Sequence, residues 1–271
     1  MPQVQSHPCF LTPSKLNPNA PLFVFLPGLD GTGQLLRTQT AGLEAAFDIR
    51  CLAIPPDDLT SWDVLTNQVL RLIEAELKKN PQRSVYLCGE SFGGCLAMKV
   101  ALRSPELFDR VLLVNPASSF NQQHCLRWGS HLVDWVPESF YRLGSIGLVA
   151  FLASLGRIAA GDRKALFDAV RTVPQKTALW RVSLLRDFDV TAEQLGRFTQ
   201  PVLAIAGEAD RLLPSVDEAK RLVNAFPNSE MVVLPNSGHA CLLEADVNLY
   251  EIMKSQNFLE SREQEAIAAA S

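Results

Sequence analysis

Short apolar runs alternate with amphipathic stretches in the first part of the chain. Each run ends close to a proline or glycine, which is typical of a strand that is buried on both faces. The stretch 61–80 has apolar residues at i, i+3, i+4 and i+7 behind Ser61, a pattern that predicts a helix. Predicted strands cover 21–28, 48–56, 84–89 and 110–116, and predicted helices cover 33–47, 61–80 and 92–104.

The alternation stops at Ala117 and resumes at Pro201. Between them lie helical patterns without strand-like runs, which favour an inserted helical cap because structureless connections of this length are rare. Alternating strands and helices predict a mostly parallel sheet covered by helices on both faces. Later predicted elements are strands 201–210 and 230–239 and helices 215–226 and 242–259. The resulting plan is a lead over 1–20, a core over 21–117 and 200–259, a cap over 118–199 and a polar tail over 260–271.

Composition and charge narrow the function classes. The chain is 47% hydrophobic and 20% charged with a net charge of −4, which is typical of a globular protein and gives nucleic-acid binding little support. Its six cysteines lack metal-type spacing, so we expect reduced thiols and a cytoplasmic location. The first twenty residues resemble neither a signal nor a transit peptide, and no apolar run reaches the ~20 residues of a spanning helix. A peripheral membrane contact through the apolar cap stays open.

The segment 86–98, YLCGESFGGCLAM, places a serine between a predicted strand and a predicted helix. Residues 89–93 fit G-x-S-x-G in the strand–turn–helix context that this pattern requires. A tight turn needs residues without bulk two positions before and after the serine, and glycine meets that need. Ser91 is therefore predicted to be a nucleophile at a helix N-terminus, which favours negative charge. The alternative is a chance pentapeptide at a strand–helix junction.

A serine nucleophile needs a general base and a carboxylate that orients the base. Of the four histidines, only His239 follows a predicted core strand, whereas His7 lies in the lead and His124 and His131 lie in the insertion. Asp210 comes at the carboxyl end of a predicted strand, the edge where catalytic groups gather in such sheets. We predict His239 as the base and Asp210 as its partner. The alternatives are a surface-loop histidine and an Asx-turn aspartate.

Two backbone N–H groups must receive the oxyanion that forms on the substrate. We expect one from Phe92, directly after the serine, and the other from Leu29, because Gly28 lets the chain turn and leaves that N–H pointing inward. The glycines of LPGLDGTG do not follow G-x-G-x-x-G, and the chain has no G-K-[ST], so nucleotide binding is poorly supported. No cofactor and no metal are expected.

These residues carry a family resemblance over about 20 to 258. GESFGG, GEADRLLP and SGHACLLE resemble the nucleophile turn, acid loop and histidine loop of α/β-hydrolases, which share this Ser, Asp, His order. More narrowly, FLPGLDGTGQLL, GESFGGCLAM and NPASSF resemble the hydrolase half of plant and cyanobacterial phytyl-ester-synthase-like acyltransferases and related esterases. The resemblance implies the α/β-hydrolase fold, an acyl-serine mechanism, and lipid or phytyl esters as substrates. It also implies, as an alternative location, the periphery of a thylakoid membrane.

Two departures limit what the resemblance carries over. Many α/β-hydrolases have His-Gly where this chain has Pro27-Gly28, so an oxyanion-loop histidine is absent. The plant proteins also have an acyltransferase half marked by H-x-x-x-x-D, and this sequence contains no such motif. Acyl transfer that depends on that half is therefore not carried over.

The expected function is hydrolysis of apolar carboxylic esters through an acyl-serine. The insertion is rich in Leu, Phe, Trp and Val, and these side chains serve either internal packing or a lid over apolar substrates. Acyl transfer from Ser91 to an alcohol such as phytol shares the first half-reaction and stays open. So does a non-catalytic binding protein of the same fold, although no predicted triad position is lost.

Overall fold

The computed structural model describes residues 7–122 and 153–260, and its centre is a sheet of seven strands. The strands are β1 (Cys9–Leu11), β2 (Leu22–Leu26), β3 (Asp48–Ala53), β4 (Val85–Glu90), β5 (Arg110–Val114), β6 (Val202–Gly207) and β7 (Ser229–Leu234). Their spatial order is β1-β3-β2-β4-β5-β6-β7. Strand β1 runs antiparallel to β3 and all other pairs are parallel, so the predicted mostly parallel sheet is confirmed.

Helices cover both faces of this sheet. They are α1 (Thr40–Leu43), α2 (Trp62–Leu77), α3 (Phe92–Arg103), α4 (Ala160–Thr172), α5 (Gln175–Arg186), α6 (Ala192–Leu195), α7 (Ser215–Ala225) and α8 (Leu249–Ser255). The predicted helices over 61–80, 92–104 and 215–226 are confirmed within a few residues. Helix α2 begins where the sequence predicts, because the Ser61 hydroxyl accepts a hydrogen bond from the Val64 N–H.

Strand β2 shows why its sequence is apolar at every position. Val24 belongs to the buried cluster formed with α2 and α3, whereas Phe23 and Phe25 belong to a second cluster formed with α8. Neighbouring side chains of a strand point to opposite faces, and here both faces are covered. Full burial of each such side chain contributes about 1.5–3 kcal/mol. The strand therefore joins the two halves of the core.

In the first fifty residues the structure has one strand that was not predicted, and the predicted helix over 33–47 is wrong. The lead contains a strand, β1, which pairs with β3 along the edge of the sheet; three residues are too few to show a period. The predicted helix over 33–47 shrinks to α1. Gly33 has a φ of +65° there, which is not a helical conformation. A Cβ on it would lie 2.4 Å from the Leu52 carbonyl oxygen, so the chain at Gly33 packs against β3 and does not start a helix.

The predicted final helix over 242–259 is also interrupted. A 3₁₀ turn over Cys241–Leu243 is followed by an irregular stretch, and α8 begins only after Asn248, whose side chain accepts from the Glu251 N–H. The buried Gln39 side chain holds the irregular stretch by donating to the Leu242 and Val247 carbonyls and accepting from the Leu249 N–H. Tertiary hydrogen bonds thus replace helical ones here.

The described parts of the segment between β5 and β6 are helical, with 3₁₀ turns over Ala117–Gln122 and Leu155–Arg157 and helices α4, α5 and α6. The boundaries of a cap over 118–199 stay a prediction. His124, His131 and most of the apolar stretch 132–156 lie outside the described residues, as does the tail beyond 260. Within the described ranges, no helix is long and apolar enough to cross a bilayer.

Four charged side chains form a network at the amino-terminal edge of the sheet. Asp48, which is fully buried, accepts from Arg50 at 2.8 and 3.0 Å and from Arg83 at 2.8 Å. Glu76 of α2 pairs with the same two guanidinium groups at 2.8 and 3.4 Å. This network connects β3, α2 and the chain before β4, at the end of the sheet opposite to Ser91.

Candidate active site

Ser91 stands at the sharp turn between β4 and α3. Its backbone has φ 54° and ψ −115°, a conformation that residues with a Cβ rarely adopt. The turn is held by the Ser91 N–H, which donates to the Val114 carbonyl at 3.0 Å, and by the Ser91 carbonyl, which accepts from the Ala117 N–H at 3.1 Å. Such strain persists only where surrounding structure enforces it and is frequent at active sites.

Glycines make this turn sterically feasible. A Cβ on Gly93 would lie 2.0 Å from the Leu26 carbonyl oxygen, and one on Gly89 would lie 2.2 Å from the Gly93 carbonyl oxygen. A Cβ on Gly94 would lie 2.7 Å from the Pro116 side chain. The three glycines therefore let α3 approach the strands closely, as the motif predicts for 89 and 93.

The structure brings together the three side chains predicted as a triad. His239 Nε2 lies 2.8 Å from Ser91 Oγ, and His239 Nδ1 lies 2.7 Å from Asp210 Oδ2. Ser91 and His239 are buried, at 7% and 3% exposure. These are the distances at which a histidine can take a proton from the serine while the carboxylate fixes its tautomer.

Asp210 is surrounded by donors. Its Oδ1 accepts from the Leu212 and Leu213 N–H groups at 2.8 and 3.1 Å, and its Oδ2 accepts from the Ser215 hydroxyl as well as facing His239. Burial raises the pKa of this carboxyl, but the His239 contact and the hydrogen bonds outweigh burial, so its pKa is lowered from the usual value. Asp210 therefore stays ionised beside the imidazole. The role of Ser215 as a partner of Asp210 was not predicted. Its position at the start of α7 is the one feature of the sequence that could have indicated this role.

Asn115 connects the two loops that carry Asp210 and His239. It follows β5 with φ 41°, and its side chain is fully buried. The amide nitrogen donates to the His239 carbonyl at 2.7 Å, and the amide oxygen accepts from the Gly207 N–H at 2.8 Å. Asparagine tolerates positive φ better than most residues, which is the one sequence signal for this position.

Glu244 holds the histidine loop from its other side. One carboxylate oxygen accepts from the Gly238 N–H at 2.7 Å, and the other pairs at 2.7 Å with Arg157, from the segment between β5 and β6. Ser154 of the same segment donates to the Asn236 carbonyl at 3.2 Å. The loop before His239 is thus fixed by Glu244 and by the segment between β5 and β6. These contacts were not predicted.

Leu29 and Phe92 are the residues predicted to form an oxyanion hole. Within the described residues, neither backbone N–H donates to a protein acceptor. The loop that carries Leu29 lies next to the serine, since a Cβ on Gly28 would be 3.7 Å from Ser91 Cβ. Phe92 is buried and stacks on Trp62 with ring centroids 4.6 Å apart, which fixes the start of α3. Phe92 directly follows Ser91 and Leu29 lies in the loop beside it, and within the described residues no protein acceptor occupies either amide.

The chain has a family match over most of the core. The sequence profile of the serine aminopeptidase S33 family, a family of α/β-hydrolases, matches residues 57–246, more than half of the 271 residues. The chain belongs to this α/β-hydrolase family. Its enzyme class is therefore that of a serine hydrolase, and the predicted fold class is confirmed.

This α/β-hydrolase has relatives in plants and bacteria. It is 34% identical to phytyl ester synthase 1, chloroplastic, of Arabidopsis thaliana, over 87% of this chain and 37% of that protein. It is 28% identical to the putative carbamate hydrolase RutD of Pseudomonas savastanoi, over 82% of this chain and 88% of that protein. The chain spans well under half the length of phytyl ester synthases 1 and 2.

Solved structures agree with the fold of this α/β-hydrolase. MenH from S. aureus superposes with a TM-score of 0.74 at 15% identity, covering 96% of this chain and 100% of that one. A thermophilic esterase from Thermogutta terrifontis superposes with a TM-score of 0.72 at 15% identity, covering 93% of each chain. Identities this low show the shared fold alone.

Glu90, the residue before the nucleophile in this α/β-hydrolase, is a buried carboxyl. Burial, with a smaller contribution from the nearby Asp30 carboxylate, raises its pKa from the usual 4.5 to about 8. The thiols of Cys88 and Cys241 are further titratable groups close enough to interact with it. Glu90 is therefore a neutral acid at neutral pH.

We expect Glu90→Gln to stabilise the protein increasingly as pH rises. The folded chain keeps the Glu90 proton up to about pH 8 and the unfolded chain releases it near 4.5, so the wild type loses stability as pH rises through that window. The gain from glutamine should grow by about 2 kcal/mol or more between pH 5 and pH 8.5. Urea unfolding at both pH values measures it.

The exposed Glu208 provides the control for this experiment. Glu208→Gln should change the free energy of unfolding by the same small amount at both pH values. A pH-independent effect of Glu90→Gln would show that Glu90 is ionised in the folded protein.

Proposed function

We propose that this protein is a serine esterase whose catalytic triad is Ser91, His239 and Asp210. The observation that supports this most is the continuous contact from Ser91 Oγ to the His239 ring and on to Asp210. In the first step, His239 Nε2 takes the serine proton while Oγ attacks the ester carbonyl carbon. Asp210 holds the proton on Nδ1 and stabilises the imidazolium that forms.

The oxyanion of the tetrahedral intermediate is bound by the backbone N–H groups of Leu29 and Phe92. Both are fixed donors, so they need little rearrangement when charge develops. His239 then gives its proton to the leaving alcohol, and the C–O bond breaks to leave an acyl-serine. Water, deprotonated by His239, attacks the acyl carbonyl. The bond to Ser91 Oγ then breaks, His239 returns the proton to Oγ, and the acid leaves.

We propose apolar esters, of lipid, acyl or phytyl type, as the substrates. A buried apolar cluster adjoins the histidine loop and contains Ala240 and Leu243 together with Ile158 and Leu166 from the segment between β5 and β6. Apolar packing this close to His239 supports a site for long apolar groups. The names of the relatives support the same class, since phytyl ester synthases 1 and 2 of Arabidopsis thaliana are named for an ester of an isoprenoid alcohol.

Acyl transfer to an alcohol is the second candidate. The 34% identity to phytyl ester synthase 1 favours it, although this chain covers only 37% of that protein. The chemistry needs no new residue, because an alcohol in place of water attacks the same acyl-serine and loses its proton to His239. The ratio of the two products depends on how well the alcohol competes with water for the acyl-serine.

A substrate panel tests the proposed function. It runs from short p-nitrophenyl esters to long-chain glyceryl and phytyl esters, with and without added phytol, and scores both free acid and transferred ester. We expect kcat/KM to rise by up to about fourfold for each added methylene that enters the site. Amides of the same acyl groups should react far more slowly.

Catalytically inactive protein and buffer blanks serve as controls for spontaneous hydrolysis. Turnover that falls with acyl length, together with no reaction of phytyl esters, would contradict the apolar assignment. Phytyl ester formed from added phytol at the expense of free acid would make transfer the main activity.

A further inference from the structure

Arg181 is a buried guanidinium that α5 inserts against the loop carrying Leu29. Its side chain is 2% exposed. The Asp30 and Asp58 carboxylates are close enough to interact with its charge, but within the described residues neither forms an ion pair with it. It donates instead to two backbone carbonyls, from Nη1 to Leu29 at 2.6 Å and from Nη2 to Pro55 at 3.1 Å. A buried charge is costly unless its donors are satisfied, so an arginine here calls for an explanation.

The loop that carries Leu29 leaves space for this guanidinium at Gly31. Gly31 has a φ of +67°, and a Cβ on it would lie 2.6 Å from Arg181 Nη1. The Gly31 carbonyl accepts from the Ile54 N–H at 2.7 Å, and the Asp30 carboxylate accepts from the backbone and hydroxyl of Thr32. The glycine at position 31 of LPGLDGTG, which the oxyanion role of Leu29 does not need, is thus explained by the arginine beside it.

Helix α5 is itself fixed to the core near this contact. The Trp62 indole donates to the Leu184 carbonyl at 2.8 Å, and the Trp180 indole donates to the Thr60 carbonyl at 2.9 Å. These bonds hold α5 on either side of Arg181 against α2 and the loop before it. The guanidinium therefore approaches Leu29 from a fixed position, not from a free side chain.

We propose that Arg181 is a positioning residue for the oxyanion hole. By holding the Leu29 carbonyl, it fixes the peptide group that follows Leu29 and so restricts the backbone dihedrals of Leu29, through which the Leu29 N–H is aimed. The inference rests on the proposed role of the Leu29 amide. A hydrogen bond from a charged group is stronger than a neutral one, and it acts on the same residue whose N–H must point at the substrate. Its positive charge also favours negative charge nearby.

Arg181→Met tests this assignment, because methionine fills much of the volume but donates no hydrogen bond. We expect kcat toward a p-nitrophenyl ester to fall by about 10²-fold, the usual effect of losing one oxyanion donor, with KM changed less than about threefold. Binding of a trifluoromethyl ketone, whose adduct carries an oxyanion, should weaken by a similar factor. Affinity for a non-reactive ether analogue should stay within about twofold, because it makes no oxyanion.

Chemical rescue separates positioning from a structural role. In Arg181→Ala, millimolar guanidinium chloride should restore part of kcat, whereas equal methylammonium chloride should restore less, because only guanidinium has two nitrogens that can each reach one of the two carbonyls, as Nη1 and Nη2 do. Arg171→Met, at an exposed arginine at the end of α4, is the matched control and should keep wild-type kinetics. If the alanine variant does not fold, Arg181→Lys is assayed for kcat and ketone binding without added cation, and because it retains the charge but loses the two-nitrogen bridge, both should fall as in Arg181→Met.

Several outcomes would overturn the inference. They are a loss confined to KM, an unchanged affinity for the ketone, or equal rescue by both cations. Ester hydrolysis by the wild-type protein shows whether the proposed function fails or only the role of Arg181. If the wild type hydrolyses no ester, the esterase proposal fails; if it does and Arg181→Met matches it, only the role of Arg181 fails.

Discussion

Replacing Ser91 with alanine is expected to lower kcat toward esters by about 10⁴- to 10⁶-fold. The alanine variant keeps the His239–Asp210 contact and both backbone amides, but it has no oxygen to form the acyl intermediate. Residual turnover should come only from the oxyanion hole and substrate binding. The measurement is kcat for a p-nitrophenyl ester together with labelling by a fluorophosphonate, which should be lost completely.

Ser255→Ala is the control for this variant. Ser255 ends α8, and its hydroxyl donates to the Ile252 carbonyl of the same helix. It should retain wild-type turnover and labelling. Wild-type turnover by Ser91→Ala would contradict the esterase mechanism, and a wild-type protein that resists the fluorophosphonate would favour a non-catalytic binding protein.

Asp48→Ala is expected to destabilise the protein by about 3–5 kcal/mol at pH 7. The substitution leaves the buried guanidinium groups of Arg50 and Arg83 with Glu76 as their carboxylate partner in the described network. Burial raises the pKa of Asp48, but its hydrogen bonds from the two arginines outweigh burial, so its pKa is lowered. The Asp48 carboxylate therefore contributes its full stabilisation above its ordinary pKa, and this contribution is lost as pH falls through the folded-state value.

Urea unfolding of Asp48→Ala and wild type at pH 7 and pH 3 measures both parts of this prediction. The difference in the free energy of unfolding should be smaller at pH 3. Asp189→Ala is the control, because Asp189 is exposed and its pairing with Lys99 should contribute less than about 1 kcal/mol. Equal effects of the two variants would mean that the buried network is not stabilising.

The main features of the fold and site are local in sequence, and these could be predicted. Helix α2 has a capping serine and a regular apolar period, and the turn around Ser91 needs its glycines within two positions. Asp210 comes in the loop after β6, and His239 comes in the loop after β7. In contrast, β1 was missed because its three residues are too few to show a strand period.

Residues that act through distant main-chain groups could not be predicted. Arg181 binds carbonyls 152 and 126 positions away in the sequence, and any residue type offers such a carbonyl. Asn115 bonds main-chain groups of two loops, 92 and 124 positions away. The predicted helix over 242–259 failed for a similar reason, since the distant Gln39 side chain takes up its backbone groups.

Strand β1 has a consequence for how the molecule avoids self-association. A chain without it would leave one side of β3 with unpaired N–H and C=O groups, which readily recruit a strand from another molecule. The strand that takes this outer place is only three residues long and stands between Pro8 and Pro13, neither of which has an N–H to offer a neighbour. Pro8 and Pro13 thus disfavour pairing of this sheet edge with a strand from another molecule.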